Sequence, residues 1–400
     1  MLFAPLFSGC VTANSGKIDL IVSNVRLYAE PGKPALDNVS IAINDGKIVE
    51  IGATLSAESA VELDGGGRVA TAGLWTSHIH FTDPALKTDA SGEIRAMLLR
   101  YGFTSVLDTG SELPATIGLS RAIERGDLAG PRIYLANGSF VYTDGTPAYL
   151  PGVQLPEISD PAQAEVLVAE VMASGSQGIK IFAGSYMSPT KTIHLPPEII
   201  RAVTDATHAR GGFVVSHPND SIGMINSVEN GVDVLAHTTP GAKPLEDGFI
   251  ATMKANNVAL IPTLKLWSYE LSRGGAPEKA VQMVQDLAVD QLGDYYAAGG
   301  EILFGTDVGY MRDFDTKDEF LLMAKAGMDF DGILASLTTN PARRFAKESG
   351  RVEVGGTADI VVYASDPSKD PAAFSKVQYT IRAGKLMFCA DAGDSVGACR

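Results

Sequence analysis

The stretch Ala72-Gly73-Leu74-Trp75-Thr76-Ser77-His78-Ile79-His80 is an apolar run that ends in two histidines two residues apart. In a β-strand, side chains i and i+2 point to the same face, so both imidazoles can reach one metal ion. In four later segments an apolar run also ends in a possible ligand: residues 178–180, 213–217, 232–237 and 302–307. Polar residues at the ends of strands that alternate with helices predict a (β/α)8 TIM-type barrel with its site on the top face.

The composition is ordinary for a globular protein and restricts the partners. Hydrophobic residues make up 45% and charged residues 20% of the 400 positions, enough for a large barrel with a small companion domain. The formal net charge is −15. A surface this acidic argues against nucleic acid or an anionic membrane as a partner, and the partner we expect is a small-molecule or dipeptide substrate. We also expect a homo-oligomer.

Short strands flank the barrel segments at both ends of the chain. Short strands are predicted at 18–22, 39–43 and 47–51 near the start of the chain, and at 359–363, 377–382 and 384–388 near its end. We therefore expect a composite β-sandwich domain built from residues 17–70 and 350–390, and a barrel domain from 71 to 349. After the opening strand, the other barrel strands are expected at 104–107, 132–135, 179–182, 213–216, 232–236, 258–263 and 302–304. The long link 138–159 is predicted to be a lid or substrate wall.

The first ten residues predict export. Met1-Leu-Phe-Ala-Pro-Leu-Phe-Ser-Gly-Cys10 is apolar and ends like a bacterial lipoprotein signal, so residues 1–16 read as a leader and Cys10 as a lipid anchor. The protein would then be periplasmic or membrane-anchored. The alternative is a disordered leader with a chance cysteine in a cytoplasmic protein. Cys389 and Cys399 border the tail 391–400 and could pair in an oxidising compartment or remain free thiols.

Six motifs occur in a fixed order along the chain. They are Asp45-Gly-Lys-Ile48, Gly73-Leu-Trp-Thr-Ser-His-Ile-His80, Gly231-Val-Asp-Val-Leu-Ala-His237, Phe304-Gly-Thr-Asp307, Thr338-Thr-Asn-Pro-Ala342 and Gly355-Gly-Thr-Ala-Asp-Ile-Val361. Together they resemble the amidohydrolase superfamily, on the imidazolonepropionase-like branch that includes prolidase-like and other Xaa-amino-acid dipeptidases. The resemblance runs from residue 18 to residue 388 and implies a metal-dependent hydrolase of C–N bonds.

The resemblance also implies a ligand set for two divalent ions, expected to be zinc. His78 and His80 would bind the more buried ion, and His217 and His237 the second. Lys180 would bridge both ions as a carbamate derived from CO2, since a bare ammonium cannot bind a cation. Asp307 would contact the first ion and act as the proton shuttle for a hydroxide between the metals. His237 could instead contact the substrate.

Substrate-binding candidates follow the predicted strands and lie in the long link. Lys265 shares strand parity with Thr263 and could bind a substrate carboxylate, which favours a dipeptide or an N-acyl amino acid. The other candidates are aromatic: Tyr142, Tyr186, Trp267 and Tyr310.

Two alternatives remain open. If Lys180 is an ordinary strand lysine, the enzyme would hold one metal and open a lactam or imidazolone-type ring. A non-catalytic binding lipoprotein on the same scaffold should have lost ligands, but this chain keeps the full set. A deaminase is disfavoured because Ser216-His-Pro-Asn-Asp220 stands where a His-x-x-Glu motif would be expected.

Overall fold

The computed structural model describes residues 17–53, 55, 60–81, 92–240 and 245–392. In chain order the strands are β1 Leu20–Leu27, β2 Leu36–Asn44, β3 Lys47–Gly52, β4 Val61–Asp64, β5 Val69–Ala72, β6 Leu74–Ile79, β7 Phe103–Asp108, β8 Arg132–Phe140, β9 Gly178–Phe182, β10 Gly184–Ser188, β11 Lys191–His194, β12 Phe213–His217, β13 Val234–Ala236, β14 Ala259–Ile261, β15 Ile360–Tyr363, β16 Val377–Arg382 and β17 Lys385–Cys389. The helices of eight or more residues are α1 Glu93–Arg100, α2 Leu113–Glu124, α3 Pro161–Ala173, α4 Pro197–His208, α5 Ser221–Glu229, α6 Asp247–Ala255, α7 Leu264–Arg273, α8 Glu278–Ala297, α9 Lys317–Lys325 and α10 Phe330–Leu337.

Strands from both ends of the chain share one sheet. Its order is β17-β16-β15-β5-β1-β2-β3, and β4 also pairs with β1. β5 joins the two contributions, because it runs parallel to β1 on one side and antiparallel to β15 on the other. The sequence predicted a sandwich here, and the hydrogen bonds form a single continuous sheet.

The sheet has a core of its own and also packs against the barrel. Along β15, Ile360 and Val362 point into the sheet's own core, whereas Val361 and Tyr363 belong to the main core of the barrel. This alternation follows from the two-residue period of a strand with both faces buried. The hydroxyl of Thr380 on β16 donates to the carbonyl of Leu99 on α1 at 2.7 Å, which ties the two layers together.

Seven parallel strands form a nearly closed barrel in the order β6-β7-β8-β9-β12-β13-β14. The segment 301–308 lies between the first and last of these strands. Leu303 donates its amide to Leu260 at 2.9 Å, and Ser77 donates to Phe304 at 2.6 Å, so the segment bonds to both neighbours. The predicted eighth strand at 302–304 is therefore present as an irregular segment that joins the barrel through isolated bridges.

The connections over the top face pack against one another. The link predicted at 138–159 starts inside β8, and its later part is a loop that donates the Ala148 amide to the Tyr186 carbonyl on β10 at 2.9 Å. A role as lid or wall stays a prediction.

Several predicted features fall outside the described residues. Among the helices in the described ranges, none is long and apolar enough to cross a membrane. The leader 1–16 with Cys10, most of the tail 391–400 and Cys399 lie outside those ranges, so export, the lipid anchor and the cysteine pairing stay predictions.

Candidate metal centre

Buried imidazoles and one carboxylate meet at the top of the barrel. The ligand atoms of His78, His237 and Asp307 all lie within 4.8 Å of one another. Oδ1 of Asp307 is 3.5 Å from Nε2 of His78 and 3.1 Å from Nε2 of His80. The rings of His217 and His237 are 4.9 Å apart between centroids, which places His217 beside this group. Five of the six predicted ligands are thus neighbours by distance.

The parallel strands bring these side chains together. His78 belongs to β6 and His80 follows it, while His217 ends β12 and His237 follows β13. Lys180 lies within β9 opposite Val215, so it is two residues deeper in the barrel than His217. Lys180 is buried, and its charge acts on the pKa values of His78, His217 and His237. The sixth predicted ligand therefore lies below the cluster of imidazoles.

Three residues at the site have a left-handed backbone that only glycine adopts freely. The φ angles are 72° at His237, 42° at Thr263 and 58° at Asp307. Such a conformation costs on the order of 1–3 kcal/mol and persists only where surrounding contacts hold it. Here the amide of His237 donates to Ile261 at 2.7 Å and that of Asp307 to His78 at 2.9 Å. The barrel thus holds these residues where their strands end.

Burial favours the neutral form of three histidines of the cluster, His78, His217 and His237. It lowers the pKa of His78 and His237 well below the ordinary value of 6.5, and Lys180 adds to the effect. Burial and Lys180 lower the pKa of His217 to about 3. The pKa of Lys180 itself falls to about 8, because desolvation outweighs the attraction of Asp307 and Asp108. Neutral imidazole is the form that binds metals, and a neutral amine is the form that can react with CO2.

The hydrogen bonds of Thr263 fix the tautomer of His237. The Thr263 hydroxyl donates to the carbonyl of Pro262 at 2.9 Å, so its oxygen is left to accept. That oxygen lies 2.6 Å from Nδ1 of His237. With this assignment the proton of His237 is on Nδ1, and Nε2, 4.0 Å from Oδ2 of Asp307, has its lone pair available to a cation. A partner on the other ring nitrogen is what orients metal-binding histidines in proteins.

The donor set fits a divalent cation. Within the described part of the chain, Oδ1 of Asp307 and Nδ1 of His78 are buried without a hydrogen-bond partner. Imidazole nitrogens and a carboxylate oxygen at a strand-end cluster are ligands that zinc and similar ions accept. A cation among them would remove the cost of the orphaned carboxylate oxygen.

Lys265 does not lie on a strand, and the parity argument that placed it there is wrong. β14 ends at Ile261, and the left-handed turn at Thr263 starts α7, so Lys265 is in the first turn of a helix. Its ammonium lies 2.8 Å from Oδ2 of Asp313 and donates to the Asp315 carbonyl at 2.6 Å. Lys265 is therefore buried with its hydrogen bonds satisfied.

The aromatic candidates are spread over the top face. Trp267 donates its indole N–H to the Thr238 hydroxyl at 2.8 Å, and Tyr142 packs against the core beneath α3 and α4. Tyr186 is exposed on β10. Tyr310 contacts Arg273 and lies 5.8 Å, between ring centroids, from Tyr149. Tyr310 follows Asp307 by three residues and Trp267 bonds to the residue next to His237, so these two candidates lie on the segments that carry the cluster.

Three further residues support the site and were not predicted from the sequence. The hydroxyl of Tyr149 lies 3.5 Å from Nε2 of His217. Its position in the long aromatic-rich link is the sequence feature that could have indicated this role. Asp108, at the end of β7, accepts the amide of Phe81 beside His80 at 3.0 Å. Glu319 accepts the first two amides of α7, at 2.8 Å each, and nothing in the local sequence indicates this contact.

A family comparison identifies this architecture. The model described as "Amidohydrolase family" matches residues 69–387. The chain belongs to the amidohydrolase family. This amidohydrolase is a hydrolytic enzyme that acts on C–N bonds, as the motifs predicted, and the family and enzyme class are thereby confirmed.

Relatives and solved structures cover nearly the whole of this amidohydrolase. Uncharacterized proteins of Mycobacterium tuberculosis and Mycobacterium bovis are 26% identical over 388 residues, covering 90% of this chain and 95% of theirs. A Xaa-Pro dipeptidase with methionine bound in its active site has a TM-score of 0.81 at 22% identity, with 92% and 99% of the two chains covered. A putative prolidase from Bifidobacterium longum has a TM-score of 0.78 at 25% identity, covering 92% and 94%.

Proposed function

We propose that this amidohydrolase binds two divalent metal ions, zinc being the expected one, and hydrolyses dipeptides or N-acyl amino acids. The observation that carries the proposal is the convergence of His78, His80 and Asp307 with the His217–His237 pair above buried Lys180. The family supports the hydrolase chemistry. The number of metals, their identity and the substrate class are the proposal.

Each ligand has an assigned role. His78, His80 and Asp307 would hold one ion, and His217 and His237 the other, with Lys180 bridging as its carbamate. Carbamate formation joins the Lys180 nitrogen to the carbon of CO2 and releases one proton, so it needs the neutral amine. Burial supports this step by lowering the pKa of Lys180 to about 8. When bound, the two ions would polarise the scissile carbonyl and lower the pKa of the attacking water.

Asp307 is assigned the proton transfers. It is nearly fully buried, and its carboxylate oxygens lie 3.5 Å from Nε2 of His78, 3.1 Å from Nε2 of His80 and 4.0 Å from Nε2 of His237, so it is placed to take up a proton beside all three rings. It would accept the proton that the attacking water loses and pass it to the leaving nitrogen as the C–N bond breaks. The products are then a carboxylic acid and an amine, with one water consumed.

Prolidase-like neighbours support the substrate class. Besides the Xaa-Pro dipeptidase, a prolidase solved with N-methylphosphonate-L-proline matches with a TM-score of 0.78 at 22% identity. The approach to the cluster carries the hydroxyls of Tyr149 and Tyr310, which can bind polar groups beside a peptide bond. A small peptide or acyl amino acid fits both observations.

A second candidate is a one-metal enzyme that opens a cyclic amide. The triad His78, His237 and Asp307 takes two residues from the ligand set proposed for the first ion and one from that of the second, as a single central ion would require. In that arrangement Lys180 would remain an amine.

Metal analysis and a substrate panel test the proposal together. The purified enzyme should contain about two ions per chain and cleave dipeptides or N-acyl amino acids faster than lactams. His80→Ala should lose metal and activity together. His208→Ala is the matched control, because His208 pairs with Asp233 at 2.8 Å on the surface and should behave like the wild type. One ion with lactam hydrolysis would favour the second candidate, and no metal with no hydrolysis would reject both.

Export with a lipid anchor at Cys10 and homo-oligomer formation are proposed separately. They rest on the sequence of the leader and on expectation alone. Intact-mass analysis of membrane and soluble fractions would show whether the mature chain begins at a lipidated cysteine. An unmodified chain that starts at Met1 and stays in the cytosol would contradict export.

A further inference from the structure

Arg273, at the end of α7, is held rigidly and still has donors to offer. Its Cζ lies 5.8 Å from the ring centroid of Tyr269 and 5.5 Å from that of Tyr310. Its Nη2 donates to Oε2 of Glu270 at 2.9 Å and to the Tyr310 hydroxyl at 3.0 Å. Among the described residues, none accepts from Nε or Nη1. Because the side chain is 52% exposed, these donors are open to a ligand.

Two aromatic rings connect Arg273 with the metal centre. Tyr310 packs edge-on against Tyr149, with 5.8 Å between the ring centroids. Tyr149 in turn brings its hydroxyl to 3.5 Å from Nε2 of His217. A ligand that bound Arg273 could therefore extend along these rings to the metals.

The sequence predicted that Lys265 binds the substrate carboxylate, but its ammonium is already bound to other groups of the protein. Its side chain is 9% exposed and its ammonium is held by Asp313 and by a backbone carbonyl. A substrate carboxylate would have to displace Asp313 to reach it. Binding at Nε and Nη1 of Arg273 displaces none of its contacts, and a guanidinium that already rests against two aromatic rings loses little freedom on binding an anion.

We propose that Arg273 binds the free carboxylate of the substrate and so selects peptides or acyl amino acids with an unblocked C-terminus. This rests on the proposed function and specifies its substrate. The scissile carbonyl would lie over the metal ligands, and the two tyrosine rings would flank the residue between them. Glu270 holds the guanidinium through Nη2, which leaves Nε and Nη1 for the carboxylate. Amidated or esterified substrates lack the anion and should gain nothing from Arg273.

The test compares a dipeptide with its C-terminal amide in the metal-loaded enzyme. Arg273→Gln should lower kcat/KM for the free acid by about tenfold to a hundredfold, the usual effect of losing a hydrogen bond to a charged group. For the amide the change should stay below about threefold. Arg273→Lys should recover part of the loss, because it restores the positive charge without the paired N–H donors of the guanidinium. Metal content and thermal unfolding should match the wild type.

Two controls and three outcomes make the test decisive. Arg125→Gln removes an exposed arginine paired with Asp127 and should change neither series. Lys265→Met should lower both series equally or not at all. Equal losses on acid and amide for Arg273→Gln would overturn the inference and leave the proposed function intact. A loss confined to the acid in Lys265→Met, and absent in Arg273→Gln, would also overturn it. A wild type that cleaves neither substrate would instead reject the proposed function.

Discussion

Replacing Thr263 with valine should disable His237 without touching a metal ligand. The change keeps the branched shape of the side chain, so the left-handed backbone at this position is strained to a similar degree. It removes the oxygen that lies 2.6 Å from Nδ1 of His237 and the donor to Pro262. The imidazole then has a buried N–H with no acceptor, or it shifts its proton to Nε2 and loses the lone pair available to a cation.

The size of the effect follows from these two possibilities. A buried donor without a partner costs about 1–3 kcal/mol, which should appear as a lower free energy of unfolding of the metal-free protein. Loss of a hydrogen-bond partner behind a metal-binding histidine costs about tenfold to a hundredfold in metal affinity or activity. Thr263→Ser keeps the hydroxyl and should stay close to the wild type in both measurements.

Metal titration and denaturant unfolding of the metal-free proteins would measure both effects. The reasoning predicts weaker metal binding and lower stability for the valine variant and neither for the serine variant. If the valine variant bound metal as tightly as the serine variant, Thr263 would not set the tautomer of His237. If both variants lost affinity equally, the shape of the side chain, and not its hydroxyl, would be responsible.

Three further predictions concern buried ionisable groups. Asp307→Asn should lower kcat by about two to four orders of magnitude with little change in KM in steady-state assays, whereas a loss confined to KM would argue against proton transfer. Lys180→Ala should reduce metal content from about two ions to about one or none, measured by elemental analysis, and unchanged content would remove Lys180 from the site. Burial raises the pKa of Glu319 from 4.5 to about 7, so the folded state favours its protonated form and loses stability as the pH rises across that interval. The loss should total about 3 kcal/mol, and denaturant unfolding at pH 5 and 7.5 should show a weaker pH dependence in Glu319→Gln.

The proximity of the candidate ligands could be predicted from the sequence because parallel strands impose where their ends lie. An apolar run that stops at His78, His217 or His237 places that residue on the same face of the barrel whatever the loops do. Most of the candidate ligands are also histidines, so each one that follows an apolar run was informative by itself. The positions of Tyr149 and Asp108 needed the packing of loops, which the strand pattern does not contain.

The predicted orientation of Lys265 was wrong because a turn changes the chain from a strand to a helix before this residue. An extended reading of residues 258–265 gave Lys265 the orientation of Thr263, but the chain turns at Thr263 and continues as α7. That helix starts without a local cap. Its first amides are satisfied by Glu319, which is more than fifty residues away in sequence. Contacts between residues so far apart leave no periodic signal, and for this reason the residues around Arg273 could not be located from the sequence.

The sheet that joins both ends of the chain imposes an order on folding. β5 pairs with β1 nearby in sequence, but its other edge is covered only by β15, nearly three hundred residues later. A ribosome adding about 5–20 residues per second therefore leaves that edge and the apolar side chains of β5 unprotected while the whole barrel is made. An unpaired strand edge is a template for joining other chains. Until the last strands are made, this edge is open to pairing with another chain, and β15 completes the fold by covering it.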